Sequence, residues 1–253
     1  MKTPLSDKYR FKSTKILKEV FPKGSIIESY LLYSGAIEVD LALSDRFVIA
    51  HTNKYPTYEF WWMAKNRPHR VSSLAESVFQ TIPEPMLYKF QENWFEQRDP
   101  FYRSALYYIL NRCSDIAGVS CGSISKAALR PYSFTSFKKL QLDNFYVLLD
   151  KFDDICECPG NSSVNSDFKF FPAGAFSLNL LQAEDLGSAE EAAVNHHRLY
   201  KMLESADYRW ATLYKFHKRL IKKYKNYNII MIDKYGNRTA REDSCEDVIV
   251  TNF

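Results

Sequence analysis

The chain has 253 residues, of which 46% are hydrophobic and 15% aromatic, and its formal net charge is +4. This composition suits one domain with an insert, or two small domains, and it excludes a largely disordered chain. No apolar run approaches the roughly 18 residues that a membrane-spanning helix needs, and no signal-peptide pattern precedes the charged start. We therefore expect a folded protein without membrane contact.

Strand and helix patterns alternate in the first third of the chain. We predict a helix at 13–20, a strand at 25–32, a short helix or strand at 36–43, a strand at 47–51 and an aromatic-rich helix at 55–67. From there to residue 150 the pattern is mostly helical. A polar, turn-rich stretch at 159–166 is expected to return the chain to its core.

The last third again mixes helices and strands. We predict a helix at 184–205, a strand at 210–214, a basic helix at 215–225, and strands at 228–233 and 247–252. The last two strands are expected to pair antiparallel at the edge of the sheet. Strands that alternate with helices indicate an α/β fold.

Asp99-Pro100-Phe101-Tyr102 is similar to the tetrapeptide Asp-Pro-Pro-Tyr, with which enzymes that methylate adenine bind the flipped base. In those enzymes an apolar strand precedes the acid. Here residues 91–98 have the pattern of a polar helix end, and a second helical pattern follows. Asp99 is therefore interpreted as the N-cap of that helix, with Pro100 in its first turn, and is only a weak catalytic candidate.

Three segments make the chain resemble the D12 class of DNA adenine methyltransferases, the group that includes the Dam enzymes. Residues 21–53 are similar to the family's opening strand, glycine loop, helix and second strand. Residues 88–112 are similar to two helices separated by a non-catalytic Asp-Pro. Residues 240–253 are similar to its terminal hairpin strand.

This resemblance implies a Rossmann-like methyltransferase sheet with an antiparallel edge and a mostly helical insert. Residues 1–55 and 160–253 would form the core. Residues 56–159 would form the insert, which contacts DNA in the family.

The family's motifs for the methyl donor, S-adenosylmethionine (SAM), are degenerate here. Its aromatic-Gly-Gly-Lys motif corresponds to residues 8–15, which contain no glycine. Lys12 or Lys15 would still supply the positive charge of the motif's lysine. Its glycine loop corresponds to residues 28–37, where only Gly35 remains and Leu32 and Tyr33 would occupy the space of the cofactor.

The acid that binds the ribose in the family corresponds to His51, and imidazole cannot replace a two-oxygen acceptor. Phe171 stands in the place of the catalytic acid. We therefore predict no catalytic residue, no cofactor and a pocket filled by side chains. The positions that correspond to the family's cofactor site are Lys12, Tyr30, Gly35, His51 and Asn53.

Two basic clusters are candidate contacts with nucleic acid or a protein partner. The alternative for the basic helix is an exposed surface helix beside the sheet. In the insert, the alternative is that the aromatic residues between the cations form local core. The candidates are Lys126, Arg130, Lys138 and Lys139 in the insert, and Lys215, Lys218, Arg219 and Lys222, expected on one face of the basic helix.

The five cysteines are an odd number without a Cys-x-x-Cys pair. Cys156 and Cys158 lack further ligands at zinc-finger spacing. We therefore expect free thiols in a reducing compartment and no metal. His196-His197 is expected to be solvated or to cap a helix.

Three functions stay open. The first is a pseudoenzyme that serves as a scaffold for DNA or a protein partner. The second is a divergent, active SAM-dependent DNA adenine N6-methyltransferase that uses Asp99 or another acid. The third is a structural component of a larger assembly such as a phage particle. The expected location is the cytoplasm, or the virion if the source is viral.

Overall fold

A seven-stranded sheet organises the chain, whose computed structural model describes residues 3–6, 11–30, 32, 34–150, 164–173 and 196–253. The strands are β1 (Ile26–Tyr30), β2 (Phe47–Thr52), β3 (Phe145–Leu149), β4 (Phe168–Phe171), β5 (Trp210–Lys215), β6 (Asn228–Asp233) and β7 (Cys245–Thr251). Their order is β3-β2-β1-β4-β5-β7-β6. The first five strands run parallel, whereas β7 is antiparallel to both β5 and β6.

The described helices lie before, between and after the parallel strands. They are α1 (Thr14–Val20), α2 (Ala36–Ala42), α3 (Tyr55–Asn66), α4 (Pro68–Thr81), α5 (Glu84–Asn93), α6 (Pro100–Cys113), α7 (Tyr132–Lys138), α8 (His196–Glu204) and α9 (Lys218–Lys223). Within the described ranges, no helix is long and apolar enough to cross a membrane.

The sheet buries side chains on both of its faces, because successive side chains of a strand point to opposite faces, but Tyr146 and Leu148 of the edge strand β3 are exposed. Ile27 of β1 and Phe170 of β4 belong to a large core that includes residues of α3, α6 and α7. Tyr30 and Phe171, at the ends of the same strands, belong to a second core, which α8 and α9 cover. Residues at the ends of β1 and β4 therefore face the side of α8 and α9.

Helices α3 to α7 form the helical region between β2 and β3. Its central helix α6 is buried on nearly all sides from Ser104 to Asn111. Asp99 caps this helix: its carboxylate accepts a hydrogen bond of 2.8 Å from the backbone N–H of Phe101, and Pro100 follows as the first helical residue. The N-cap interpretation of Asp99 is confirmed.

The predicted fold class is confirmed, with a parallel core, an antiparallel edge and added helices. Two local predictions were wrong. Strand β3 lies inside the segment predicted as the insert, where its short apolar run was assigned to a helical region. Lys215 ends β5 instead of beginning the basic helix, which starts at Lys218. The division into a core and an insert stays a prediction.

Some predicted features fall outside the described residues. They include Tyr33, Cys156, Cys158 and the first part of the helix expected at 184–205. Residues 196–204 of that helix are helical. The segment 36–43 forms a helix.

Candidate functional site at the strand ends

The carboxyl ends of β1, β2 and β4 are the natural place for a ligand, since open α/β sheets bind ligands in the crevice beyond these ends. Tyr30 ends β1, His51 is the penultimate residue of β2, and Phe171 ends β4. The parallel register pairs Tyr30 with His51. Their side chains therefore project from the same face of the sheet as Phe171.

These three rings form a continuous stack. The centroid of the Tyr30 ring lies 4.5 Å from that of His51 and 5.1 Å from that of Phe171, with interplanar angles of 18° and 12°. Tyr30 and Phe171 are fully buried, and His51 is 4% exposed. The ring stack thus fills the space between the ends of the three strands.

A buried ionic cluster lies beside the stack. His51 Nδ1 is 3.1 Å from Asp150 Oδ2, and His51 Nε2 is 3.2 Å from Glu28 Oε1. The other oxygen of Glu28 accepts a hydrogen bond of 2.6 Å from Ser166 Oγ and lies 3.8 Å from Lys169 Nζ. We call Glu28, His51, Asp150 and Lys169 the strand-end cluster. Its two carboxylates face two basic side chains.

The strand-end cluster favours the protonated form of His51. Burial alone would lower the pKa of this imidazole, but the hydrogen bonds and charges of Asp150 and Glu28 outweigh burial and raise the pKa above its usual 6.5. A protonated ring donates from both nitrogens. His51 is therefore a proton donor held between two carboxylates, whereas ribose hydroxyls at this position require an acceptor.

Gly35 begins α2 with a left-handed backbone, at φ +62°. A Cβ on this residue would overlap the indole ring of Trp61, whose Cη2 would lie only 2.8 Å away. Trp61 is fully buried in α3. The space that this glycine leaves is thus occupied by Trp61, and no cofactor is needed to explain the glycine.

The other predicted cofactor positions are dispersed. Leu32 is 4% exposed, and its backbone N–H donates to the carbonyl of His51 at 3.0 Å. Asn53 is half-buried just after β2. The side chain of Lys12 is exposed, while its backbone N–H donates to Asp247 at 2.7 Å. Of the five predicted positions, Tyr30 and His51 contact each other through their side chains at the strand ends.

The residues present therefore do not fit SAM. The position that the resemblance assigns to the ribose holds a buried imidazole between two carboxylates. The glycine of the loop packs against Trp61, and Phe171 stands where the resemblance expects the catalytic acid. No step of methyl transfer can be derived through these side chains. Asp99 does not change this conclusion, because its carboxylate caps α6.

The strand-end cluster contains residues that the sequence did not single out. Glu28, Asp150 and Lys169 come from β1, from the residue after β3 and from β4, and 99 positions separate His51 from Asp150. The available signal was charge within apolar strands, since Glu28 and Lys169 interrupt apolar runs of the sequence. Their pairing required the strand register.

The basic cluster of the insert is partly engaged within the protein. Lys126 Nζ donates to the carbonyls of Phe79 and of Ile82, the latter at 2.7 Å, at the C-terminal end of α4. Lys138 forms an ion pair of 2.6 Å with Glu76. The structure places the remaining two candidates, Arg130 and Lys139, on the surface.

The second basic cluster is more exposed. Lys215 is the exception, because its ammonium lies 2.6 Å from the buried carboxylate of Asp247. Lys218, Arg219 and Lys222 are exposed on α9. The two basic clusters belong to opposite sides of the sheet, since α7 packs in the first core and α9 flanks the second.

The described residues give little support for a metal site or for a reactive thiol. No group of three His, Cys, Asp or Glu side chains in these ranges is arranged to hold a metal ion. Cys113 and Cys245 are free thiols, and burial raises the pKa of the Cys113 thiol to about 12. Such a thiol is a poor nucleophile at neutral pH.

Comparison with known proteins adds little beyond the fold. No protein-family model matches the chain, and no curated protein matches it. A solved structure to which it is similar is a SAM-dependent methyltransferase from Aquifex aeolicus, with 11% identity over 97% of this chain and 92% of the other, and a TM-score of 0.37. A TM-score this low supports no inference. The α/β fold is assigned from the sheet itself. Both the methyltransferase likeness and membership of the D12 class stay predictions.

Proposed function

We propose that the chain is a Dam-like methyltransferase-fold protein that has lost SAM binding and methyl transfer and serves as a scaffold for DNA or a protein partner. The candidate protein partners are another methyltransferase subunit and the components of a larger assembly. The observation that carries this proposal is the stack of Tyr30, His51 and Phe171 at the ends of three adjacent strands.

Opening this stack would be costly. Aromatic pairs in such geometries contribute about 0.5–1.5 kcal/mol each beyond the burial of their area. The strand-end cluster adds to the cost, because a buried ion pair that loses one partner leaves an uncompensated charge. A ligand at this position would have to displace buried rings and separate His51 from Glu28 or Asp150.

An active enzyme that uses Asp99 has weaker support. The carboxylate of Asp99 already accepts a hydrogen bond from the backbone of α6, and the residue is exposed at a helix end. A catalytic acid for adenine instead follows a strand and faces a pocket for the flipped base.

A methyl-transfer assay tests the proposal. Purified protein is incubated with labelled SAM and unmethylated, adenine-containing duplex DNA, and a known adenine methyltransferase is assayed in parallel. We expect label in the DNA only with the known enzyme. Label transferred by this chain, and lost in a variant that remains folded, would overturn the proposal.

A further inference from the structure

Positive charge is concentrated in a short part of the chain. Residues 196–226 contain nine Lys and Arg but only two acidic residues, Glu204 and Asp207, which gives a net charge of +7. The whole chain carries +4, so the remaining residues together carry −3. Such asymmetry points to an anionic partner for this part of the protein.

Helices α8 and α9, which carry many of these charges, contact each other. Lys223 of α9 donates a hydrogen bond of 3.0 Å to the carbonyl of His196, at the start of α8. Tyr200 and Tyr224 meet edge to face with their ring centroids 5.2 Å apart. The hydroxyl groups of Tyr214 and Tyr224, 2.9 Å apart, tie this junction to β5. The two helices therefore form one continuous surface.

The outer side chains of this surface are cations in solvent. Lys201 of α8, Arg219 and Lys222 of α9, and Lys225 just after it are all exposed, and none forms an ion pair within the described residues. Lys218 lies 3.9 Å from Glu242, but both side chains are largely exposed. Exposed ion pairs of this kind contribute little to stability, and the cation can readily pair with another anion instead.

The chemistry of this surface favours contacts with phosphates over contacts with bases. None of the large apolar side chains that the described residues expose lies on α8 or α9. Recognition of single strands needs aromatic side chains on which bases stack. Flexible lysine and arginine side chains without such a platform instead suit the regularly spaced phosphates of a duplex.

We infer that the surface of α8 and α9 binds the phosphate backbone of duplex DNA without reading its sequence. The contacts are made by Lys201, Arg219, Lys222 and Lys225. This inference rests on the proposed scaffold function, which it deepens by naming the surface and the partner.

Salt-dependent binding of a short, fluorescent, mixed-sequence DNA duplex tests the inference. A variant with Lys201→Gln, Arg219→Gln, Lys222→Gln and Lys225→Gln removes four exposed charges without altering a described contact. The slope of log affinity against log salt should become shallower by about four units, roughly one for each lost phosphate contact. At about 0.2 M salt, the affinity should fall roughly a hundredfold.

A matched control removes four exposed charges from the helical region: Lys89→Gln, Arg98→Gln, Arg130→Gln and Lys139→Gln. We expect this variant to keep most of the salt slope of the wild type. The inference is overturned if the control loses binding while the α8–α9 variant keeps it, or if the wild type fails to bind the duplex at low salt. It is also overturned if poly-glutamate displaces the duplex as well as unlabelled DNA does, because the partner would then be an acidic protein.

Assays of the wild type and the same two variants distinguish a failure of this inference from a failure of the proposed function. Stabilisation of the wild type by SAM, or methyl transfer to the duplex, would overturn the loss of enzyme chemistry. Neither result would change the difference in salt slope between the two variants. That difference alone decides whether α8 and α9 form the DNA surface.

Discussion

The strand-end cluster and the α8–α9 surface use charge in opposite ways. At the strand ends, Glu28 and His51 are buried, paired and packed beside stacked rings. On α8 and α9, Lys201 and Lys222 are exposed and form no ion pair in the described part of the chain. Buried pairs stabilise one arrangement of the protein, whereas exposed cations remain available to a ligand. The strand ends, a position that suits a ligand in this kind of sheet, can therefore serve to stabilise the fold. The charges that are available to a ligand lie on a separate surface.

Removing the charge of His51 should have the largest effect on stability. His51→Phe keeps an aromatic ring in the stack but leaves Glu28 and Asp150 without their shared partner. Breaking a buried pair in this way costs about 3–5 kcal/mol. Urea unfolding below pH 6.5, where the contribution of His51 is fully present, measures the loss.

His51→Ala separates the two contributions, because it removes the ring as well as the charge. It also leaves a cavity, so it should be less stable than His51→Phe by about 3–5 kcal/mol, of which the stack with Tyr30 contributes about 1 kcal/mol. If His51→Phe is as stable as the wild type, the ionic cluster does not hold the strand ends together.

Gly35→Ala should be the next most damaging change. The new Cβ would meet the indole of Trp61 and would also need a left-handed backbone. Overpacking costs about 1–3 kcal/mol, and the left-handed backbone adds about 1–2 kcal/mol. Thermal or urea unfolding measures the sum.

Gly24→Ala is the matched control for Gly35. It has a similar backbone, at φ +79°, but nothing lies within 4 Å of the new Cβ. We expect it to lose only the backbone contribution. Equal losses for the two variants would mean that Trp61 does not fill the space beside Gly35.

The pH dependence of stability should reveal the contribution of His51 to the strand-end cluster. Because the pKa of His51 is raised above 6.5 in the folded protein, its contribution to stability is fully present below pH 6.5. The contribution is lost as the pH rises through the folded-state pKa. The gap in free energy of unfolding between wild type and His51→Phe should therefore narrow above pH 6.5, and a gap that widens there would contradict the assignment.

Asp99→Ala should have the smallest effect. Loss of an N-cap costs about 1 kcal/mol, and the carboxylate of Asp99 makes one such hydrogen bond. Melting curves measure this loss, and the methyl-transfer assay should show no activity in either form. Activity in the wild type that disappears in folded Asp99→Ala would restore Asp99 as a catalytic residue.

Local patterns were enough to predict most of the sheet. The apolar runs of β1, β2 and β7 appear directly in the sequence. The short run of β3 was hidden by the helical patterns around it. Lys215 was assigned to a helix because its spacing continues the cations of α9, although its strand pairing with Asp247 decides its place.

The candidate site was only partly predictable. The resemblance to the D12 class directed attention to Phe171 and His51, which lie at the ends of β4 and β2. The partners Glu28 and Asp150 become neighbours of His51 only through the order β3-β2-β1. Contacts of this kind depend on strand register, which composition and spacing do not fix.

The most direct test of the central claim is the melting temperature of the purified chain with and without millimolar SAM, supported by calorimetry. A ligand that binds the folded state raises its stability by RT ln(1 + [L]/Kd), so a micromolar site at millimolar ligand adds about 4 kcal/mol. We expect no shift and no binding heat, because Tyr30, His51 and Phe171 occupy the strand ends. A clear increase in melting temperature, together with a binding heat of SAM that disappears when the protein is first saturated with S-adenosylhomocysteine, would contradict the account.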